Sequence, residues 1–245
     1  MIINKTYEGD CLELLPNYVE DKSIDMIFAD LPYGITKCKW DSVIDLPKLW
    51  IQYERVIKDN GVIVLFAQTP FDKVLGVSNL KLLKYEWIWE KTAATGHLNS
   101  KKMPMKAHEN LLVFYKNPPT YNPQKTFGHK RKVSKVEHKI NCVESEVYNK
   151  VKNLTTYDST ERYPRSVLVF SSDKQKSKLH NTQKPLKLIE YMIKTYTNEG
   201  DLILDNTCGS GTTGLGAQNL NRNYIMMEKD PNIFNDACNR VGEKE

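Results

Sequence analysis

The sequence predicts an α/β protein built on a largely parallel sheet with helices on both faces. Three observations predict it: continuous apolar runs ending in acids or turns, amphipathic stretches between them, and a glycine-rich turn joining one run to a helix. Ser23–Asp30 (SIDMIFAD) reads as a buried strand followed by a loop. Leu46 to Lys58 carries Leu46, Leu49, Trp50, Tyr53, Val56 and Ile57 on one helical face, and Asn60-Gly61 is read as its stop. Gly61–Ala67 (GVIVLFA) is a second apolar strand. Tyr85–Trp89 and Leu111–Tyr115 read as two more, with a Gly/Asn/Ser/Lys/Pro-rich loop, Thr95–Lys106, between them. The alternation then fails. Asn117 to Lys178 carries prolines and interleaved tyrosines and lysines, with no sustained period beyond Ser166–Phe170, and is predicted as an insertion. Regular structure resumes with Leu186–Tyr196, an apolar-faced helix opened by Pro185. The strand Leu202–Leu204, the glycine turn, a helix from about Thr212 and the strand Tyr224–Met227 follow. The reading divides the chain into 1–116, 117–178 and 179–245, the outer segments being halves of one domain.

Composition excludes several classes. With 40% hydrophobic and 27% charged residues in 245, the chain can bury a core and is no disordered polyelectrolyte. No apolar run has the length of a membrane span, and MIINKTYEGD lacks the regions of a secretory signal. The five cysteines are scattered and never in CxxC spacing, which favours free thiols in a reducing cytoplasm over a disulfide framework or a zinc site. The net charge of +5 is unevenly placed. Residues 117–178 hold 13 Lys/Arg against 6 Asp/Glu, whereas the rest holds 22 against 24. A segment that meets a polyanion has this imbalance, as does a solvated basic loop.

Two motifs carry chemistry. In Asp205-Asn206-Thr207-Cys208-Gly209-Ser210-Gly211-Thr212-Thr213-Gly214 a strand ends in an acid, a tight turn follows, and a helix begins. Gly209 and Gly211 let backbone approach a ligand, and the helix start offers unpaired N–H groups. Glu228 closes the next strand, where a ribose-binding acid would sit. A dinucleotide, S-adenosylmethionine or plain tight packing would each explain this turn. No Lys-Ser/Thr pair follows the glycines, which argues against an ATPase phosphate loop. The second motif, Asp30-Leu31-Pro32-Tyr33-Gly34, sets a carboxylate, a rigid turn and an aromatic directly after a buried strand.

Together the two motifs resemble those of the DNA amino-methyltransferases, which carry an Asp-Pro-Pro-Tyr tetrad and an Asp-x-x-x-Gly-Ser-Gly-Thr loop. The resemblance spans nearly the whole chain. Its order is similar to the family's circularly permuted group: tetrad first, target-recognition region in the middle, cofactor loop last. Gly9-Asp10-Cys11, Trp89-Glu90-Lys91, His108-Glu109 and His180-Asn181-Thr182-Gln183-Lys184-Pro185 fall where that group has accessory motifs. The stretch from Trp40-Asp41 through Thr69-Pro70-Phe71 resembles methylases of phages and prophages.

The resemblance implies a Rossmann-like methyltransferase fold with an inserted target-recognition region, using S-adenosylmethionine to methylate N6 of adenine in double-stranded DNA. It implies a catalytic tetrad of Asp30, Leu31, Pro32 and Tyr33, and no metal. It also implies a cofactor pocket of Asp10, Cys11, Asp30, His180, Asn181, Thr182, Lys184, Asp205, Thr207, Gly209, Ser210, Gly211, Thr212, Thr213, Glu228 and Lys229. Within it, Asp205 and the glycine backbone would hold the methionine end, Glu228 the ribose and Asp10 the adenine. Lys125, Lys130, Arg131, Lys132, Lys135, Arg162 and Arg165 in the basic insertion would meet DNA. A homodimer and a cognate restriction endonuclease are partners the resemblance allows.

Two departures stand out: Leu31 replaces the usual first proline, and Asn206-Thr207 replaces the common Pro-Phe. N4-cytosine methylation would use the same pocket, although cytosine enzymes more often begin the tetrad with Ser. Two readings of other classes are a catalytically silent cofactor- or DNA-binding module, and an NAD-dependent oxidoreductase resting on the glycine turn alone. The intact Asp30, Pro32 and Tyr33 argue against the first. The second leaves the tetrad and the basic insertion unexplained.

Overall fold

A computed structural model describes residues 1–34, 43–135, 156–171 and 183–243. The strands among them are β1 (Lys5–Glu8), β2 (Ile24–Ala29), β3 (Ile57–Ala67), β4 (Leu83–Thr95), β5 (Lys106–Phe114), β6 (Lys132–Ser134), β7 (Tyr157–Ser159), β8 (Val167–Phe170), β9 (Leu202–Asp205) and β10 (Asn223–Glu228). The α-helices are α1 (Cys11–Tyr18), α2 (Leu46–Val56), α3 (Phe71–Ser78), α4 (Leu186–Tyr196), α5 (Thr212–Asn219) and α6 (Pro231–Val241). Eight strands form one sheet of order β1-β10-β9-β2-β3-β5-β4-β8. Every neighbouring pair is parallel except those of β5, which runs against both β3 and β4.

The continuous apolar runs have a simple cause: both faces of the sheet are covered. Ile27, Ala29, Ile63 and Leu65 point into one core with α1, α2 and α3. Met26, Phe28, Val64 and Phe66 point into the other with residues of α4, α5 and α6. Such strands have no solvent face on which polar residues could alternate.

Three boundaries differ from those expected of the sequence. The helix from Leu46 ends at Val56, because Ile57 is already extended and begins β3. Asn60-Gly61 lies inside that strand, where the register against β2 shifts between Ile24 and Met26. A Cβ on Gly61 would sit 2.7 Å from the Ile57 side chain and 3.0 Å from the Asp25 carbonyl, so this glycine serves close approach rather than helix termination. The strands read as Tyr85–Trp89 and Leu111–Tyr115 are parts of a longer antiparallel ladder, in which β4 runs on to Thr95 and β5 starts at Lys106, on either side of the expected loop. β1, β6, β7, α1, α3 and α6 are additional elements.

The chain divides into two compact units, Met1–Asn122 with Ser166–Glu245, and Pro123–Arg165. Residues 167–170 belong to the first, pairing with β4 as strand β8. The second holds the antiparallel pair β6–β7 and a bridge between Thr126 and Arg162. No helix among the described residues is long and apolar enough to cross a membrane.

Candidate active site

Parallel strands bring their carboxyl ends to one edge of the sheet, and the acids follow them there. Asp10 comes after β1 and Asp30 directly after β2, while Asp205 ends β9 and Glu228 ends β10. β5 is reversed, so its first half, with Glu109, lies at the same edge. These residues line one cavity of about 570 Å³, within the range of small-molecule sites.

The glycine turn forms one wall. Gly209 and Gly211 have φ of +52° and +73°, the left-handed region, and a Cβ on Gly211 would press against the α6 backbone, 3.1 Å from the Ala237 Cα. Glu228 braces the turn: Oε2 accepts from the Gly209 N–H at 3.0 Å, and Oε1 from those of Lys229 and Asp230, each at 2.9 Å. Arg240 on α6 donates to the Ser210 carbonyl and hydroxyl and to the Thr212 hydroxyl, at 3.1–3.3 Å. Asp10 caps α1 through the Leu12 N–H and pairs with Lys229 at 2.9 Å.

Asp205 is buried and accepts from the Thr207 N–H at 3.2 Å. Burial pushes its pKa up to about 7, with Asp30 and Glu228 adding to the rise and Thr213 opposing it. Among the described residues no cation forms an ion pair with it. A buried carboxylate without a counter-ion, on the wall of a mixed polar and apolar cavity, fits a ligand that brings its own ammonium.

The second wall is the tetrad. Asp30 Oδ1 accepts from the Tyr33 hydroxyl at 2.6 Å, and Oδ2 pairs with Lys184 Nζ at 2.9 Å. The Tyr33 ring stacks on Phe71, centroids 5.1 Å apart. Leu31 is buried in the core and Pro32 lines the cavity. The Thr207 hydroxyl donates to the Asp30 backbone carbonyl at 3.1 Å, joining the two walls. Burial raises the pKa of Asp30 and Glu109 adds to this, while Lys184 and the Tyr33 hydroxyl oppose it.

Behind the tetrad lies a chain of charges through Lys184, which the sequence reading assigns to the cofactor pocket, to Glu109 and Lys91, which it marks only as parts of accessory motifs. Lys184 Nζ reaches Glu109 Oε2 at 2.8 Å, and Glu109 Oε1 meets Lys91 Nζ at 2.6 Å. Glu109 and Lys91 are each 6% exposed. Burial alone would raise the Glu109 pKa; the two lysines overwhelm it and hold it at about 2. Lys91 also lies over the Trp89 ring, 5.1 Å from its centroid. The signal was an acid and two lysines in otherwise apolar strands or beside a buried turn, which are uncommon unless paired.

Of the expected cofactor residues, Asp10, Cys11, Asp30, Lys184, Asp205, Thr207, Gly209, Ser210, Thr212, Thr213, Glu228 and Lys229 line this cavity. Gly211 caps α5 beside them. His180, Asn181 and Thr182 lie outside the described residues. In the second unit, Arg131 is engaged with Asp158, Lys125 with Glu161 and the Tyr163 ring, and Arg162 with backbone carbonyls including that of Lys130. Lys130, Lys132, Lys135 and Arg165 are exposed.

Fold and site together define an α/β methylase, and comparison identifies its class. The family model described as DNA methylase, covering N6 and N4 enzymes, matches residues 24–239; the chain belongs to this family. It is a DNA amino-methyltransferase of the N6-adenine or N4-cytosine kind. It is 30% identical to the type II methyltransferase M2.MboI of Moraxella bovis, over 91% of this chain and 82% of that one. To M1.MboII, a type II methyltransferase of the same organism, it is 28% identical over 96% and 95%. Among solved structures it is similar to the M1.HpyAVI–SAM complex, with TM-score 0.65 and 26% identity, over 97% of this chain and 98% of that one. The mixed, mostly parallel sheet is that of Rossmann-like methyltransferases. The cytosine-N4-specific PvuII enzyme shares it with TM-score 0.66 at 18% identity, over 96% and 85%.

Proposed function

We propose that the chain methylates N6 of adenine in double-stranded DNA, with S-adenosylmethionine as donor. The observation that carries this is the Asp30 carboxylate, oriented at the cavity where the two walls meet. The cofactor, when bound, supplies an electrophilic methyl group on sulfonium sulfur. Asp205 would take its ammonium. Glu228 and Asp10, at the ends of β10 and β1, would face the ribose and the adenine. Lys229 and the Ser210, Thr212 and Thr213 side chains would complete the cavity.

An exocyclic amino group is a poor nucleophile because its lone pair is delocalised into the ring. Asp30 and the backbone carbonyl of Leu31 would each accept one N–H, localising that lone pair towards the donor. Leu31 serves as well as proline because only its carbonyl is used. The base must leave the duplex to arrive there, and the Tyr33 ring, held against Phe71, offers a stacking face. Catalysis then rests on positioning and on fixed charges.

Asp30 in place of the Ser common in cytosine enzymes favours adenine. Residues 1–116 and 179–245 would act as the catalytic and cofactor halves, and 117–178 as the target-recognition insertion, with Lys130, Lys132, Lys135 and Arg165 towards phosphate. A cytoplasmic setting, a homodimer and a partner endonuclease belong to the same proposal. The test is digestion to nucleosides of DNA from cells producing the chain, with methylation-sensitive sequencing. N6-methyladenine at one sequence supports the reading. N4-methylcytosine would move the target to cytosine, and unmodified DNA would refute both.

A further inference from the structure

We infer that Lys184, braced from behind by Glu109 and Lys91, is a positioning residue for Asp30: it holds Oδ2 and leaves Oδ1 to face the target amino group. The inference rests on the proposed role of Asp30 as acceptor for that group. Four charges alternate in sign along a path that runs from the half-buried Asp30 into the buried Glu109 and Lys91, Asp30–Lys184–Glu109–Lys91, at 2.9, 2.8 and 2.6 Å. They come from four places: the turn after β2, the segment before α4, β5 and β4. Lys184 is 12% exposed and its ammonium also lies 5.0 Å from the Phe66 ring centroid, so water competes poorly for it.

A carboxylate can rotate about its last torsion, and a fixed cation on one oxygen removes that freedom. The remaining oxygen carries the Tyr33 hydroxyl at 2.6 Å, a hydrogen bond that an incoming N–H would replace. The pair also decides the charge of Asp30. Burial, and after it Glu109, disfavour the anion, whereas Lys184 and the Tyr33 hydroxyl support it. Glu109 has a second function here: with Lys91 behind it, it stays ionised and offers Lys184 a fixed seat.

The experiment is the pH profile of single-turnover methyl transfer from labelled S-adenosylmethionine to unmethylated plasmid duplex, with cofactor affinity measured separately by calorimetry. Lys184→Gln should move the acid limb upward by about one pH unit or more, with rate recovering at high pH and cofactor affinity little changed. Lys184→Arg should keep the limb near that of the wild type. Should Lys184→Gln not fold, Glu109→Gln tests the same arrangement in the opposite sense. It removes the competing anion but keeps an acceptor for Lys184, so the limb moves to lower pH. A limb superimposed on the wild type in folded Lys184→Gln, or in Glu109→Gln where it stands in, overturns the inference, as does a loss confined to cofactor affinity. A wild type that transfers no methyl to DNA refutes the proposed function, and this inference with it.

Discussion

The Thr207 hydroxyl donates to the backbone carbonyl of Asp30 at 3.1 Å, fastening the glycine turn to the residue that leads the tetrad. The two residues lie 177 positions apart in the chain, beyond the ends of the paired strands β2 and β9, and this hydrogen bond joins the loops that follow them. A displacement of either wall changes the distance from methyl donor to amino nitrogen, to which in-line transfer is steeply sensitive.

Thr207→Val should therefore slow single-turnover transfer by about fivefold, the equivalent of about 1 kcal/mol for one hydrogen bond. Thr207→Ser keeps the hydroxyl and should restore most of the rate. Equal rates for Val and wild type would show that the walls are aligned without this bond.

Asp205 predicts the pH dependence of cofactor binding. Its pKa is raised to about 7. At pH 6 the ligand-free enzyme holds it mostly protonated, and capture of an ammonium requires the proton to leave. Affinity should rise from pH 6 to 8 and level above that, and calorimetry in buffers of different ionisation enthalpy should show proton release at pH 6. Asp205→Asn should abolish the dependence. The stability effect has the opposite sense. Because the folded pKa lies above the ordinary value of 3.8, the contribution is fully present below that value and is lost as pH rises through about 7. Ligand-free thermal melts should weaken across that window, and less so in Asp205→Asn.

Much of this site was legible in the sequence, because its chemistry sits at strand ends marked by acids and glycines. Asp30, Asp205 and Glu228 each close an apolar run, and a parallel sheet brings such ends together. The brace of Glu109 and Lys91 was not legible in the same way. Its partners lie on antiparallel strands whose register no local pattern specifies, and Lys184 joins them from another part of the chain. α1 and α6 were missed although each has a signal. Asp10 and Asp230 cap them, and Pro231 opens α6, but both helices are short on buried residues. Asn60-Gly61 misled for a physical reason: the pair is typical of turns, yet Gly61 sits inside β3 where Ile57 and Asp25 leave little room for a side chain.

The basic insertion gives a narrower prediction than its net charge suggests. Arg131 is bidentate to Asp158, at 2.7 and 2.5 Å, and Lys125 pairs with Glu161 at 2.8 Å. These charges are partly spent within the unit. Lys130, Lys132 and Lys135 are exposed, and replacing all three with Gln should flatten the salt dependence of DNA binding by about 0.9 of a slope unit for each phosphate no longer neutralised. Arg131→Gln should instead lower the thermal stability of the unit slightly, as expected of an exposed pair. A triple variant with an unaltered slope would place these lysines away from DNA.

Asp30 and Tyr33 permit the sharpest test, since the proposed function assigns them to the base and the glycine turn to the cofactor. Asp30 takes no part in bracing the glycine turn beyond its backbone carbonyl, which any residue supplies. Asp30→Ala should leave cofactor affinity nearly intact and reduce transfer at least a hundredfold, or about 3 kcal/mol, the scale of a hydrogen bond that strengthens in the transition state. Tyr33 makes two interactions of opposite consequence. Its ring stacks on Phe71 and would offer the base a face, while its hydroxyl occupies the Asp30 oxygen that the proposal assigns to the base. Tyr33→Phe keeps the ring and vacates the oxygen, so transfer should fall little. Tyr33→Ala removes the stacking face and should cost far more. Single-turnover rates on duplex DNA, beside calorimetric cofactor affinities, measure both. A wild-type rate in Asp30→Ala would mean that the tetrad is only a turn, and the amino group would then need another acceptor in the cavity.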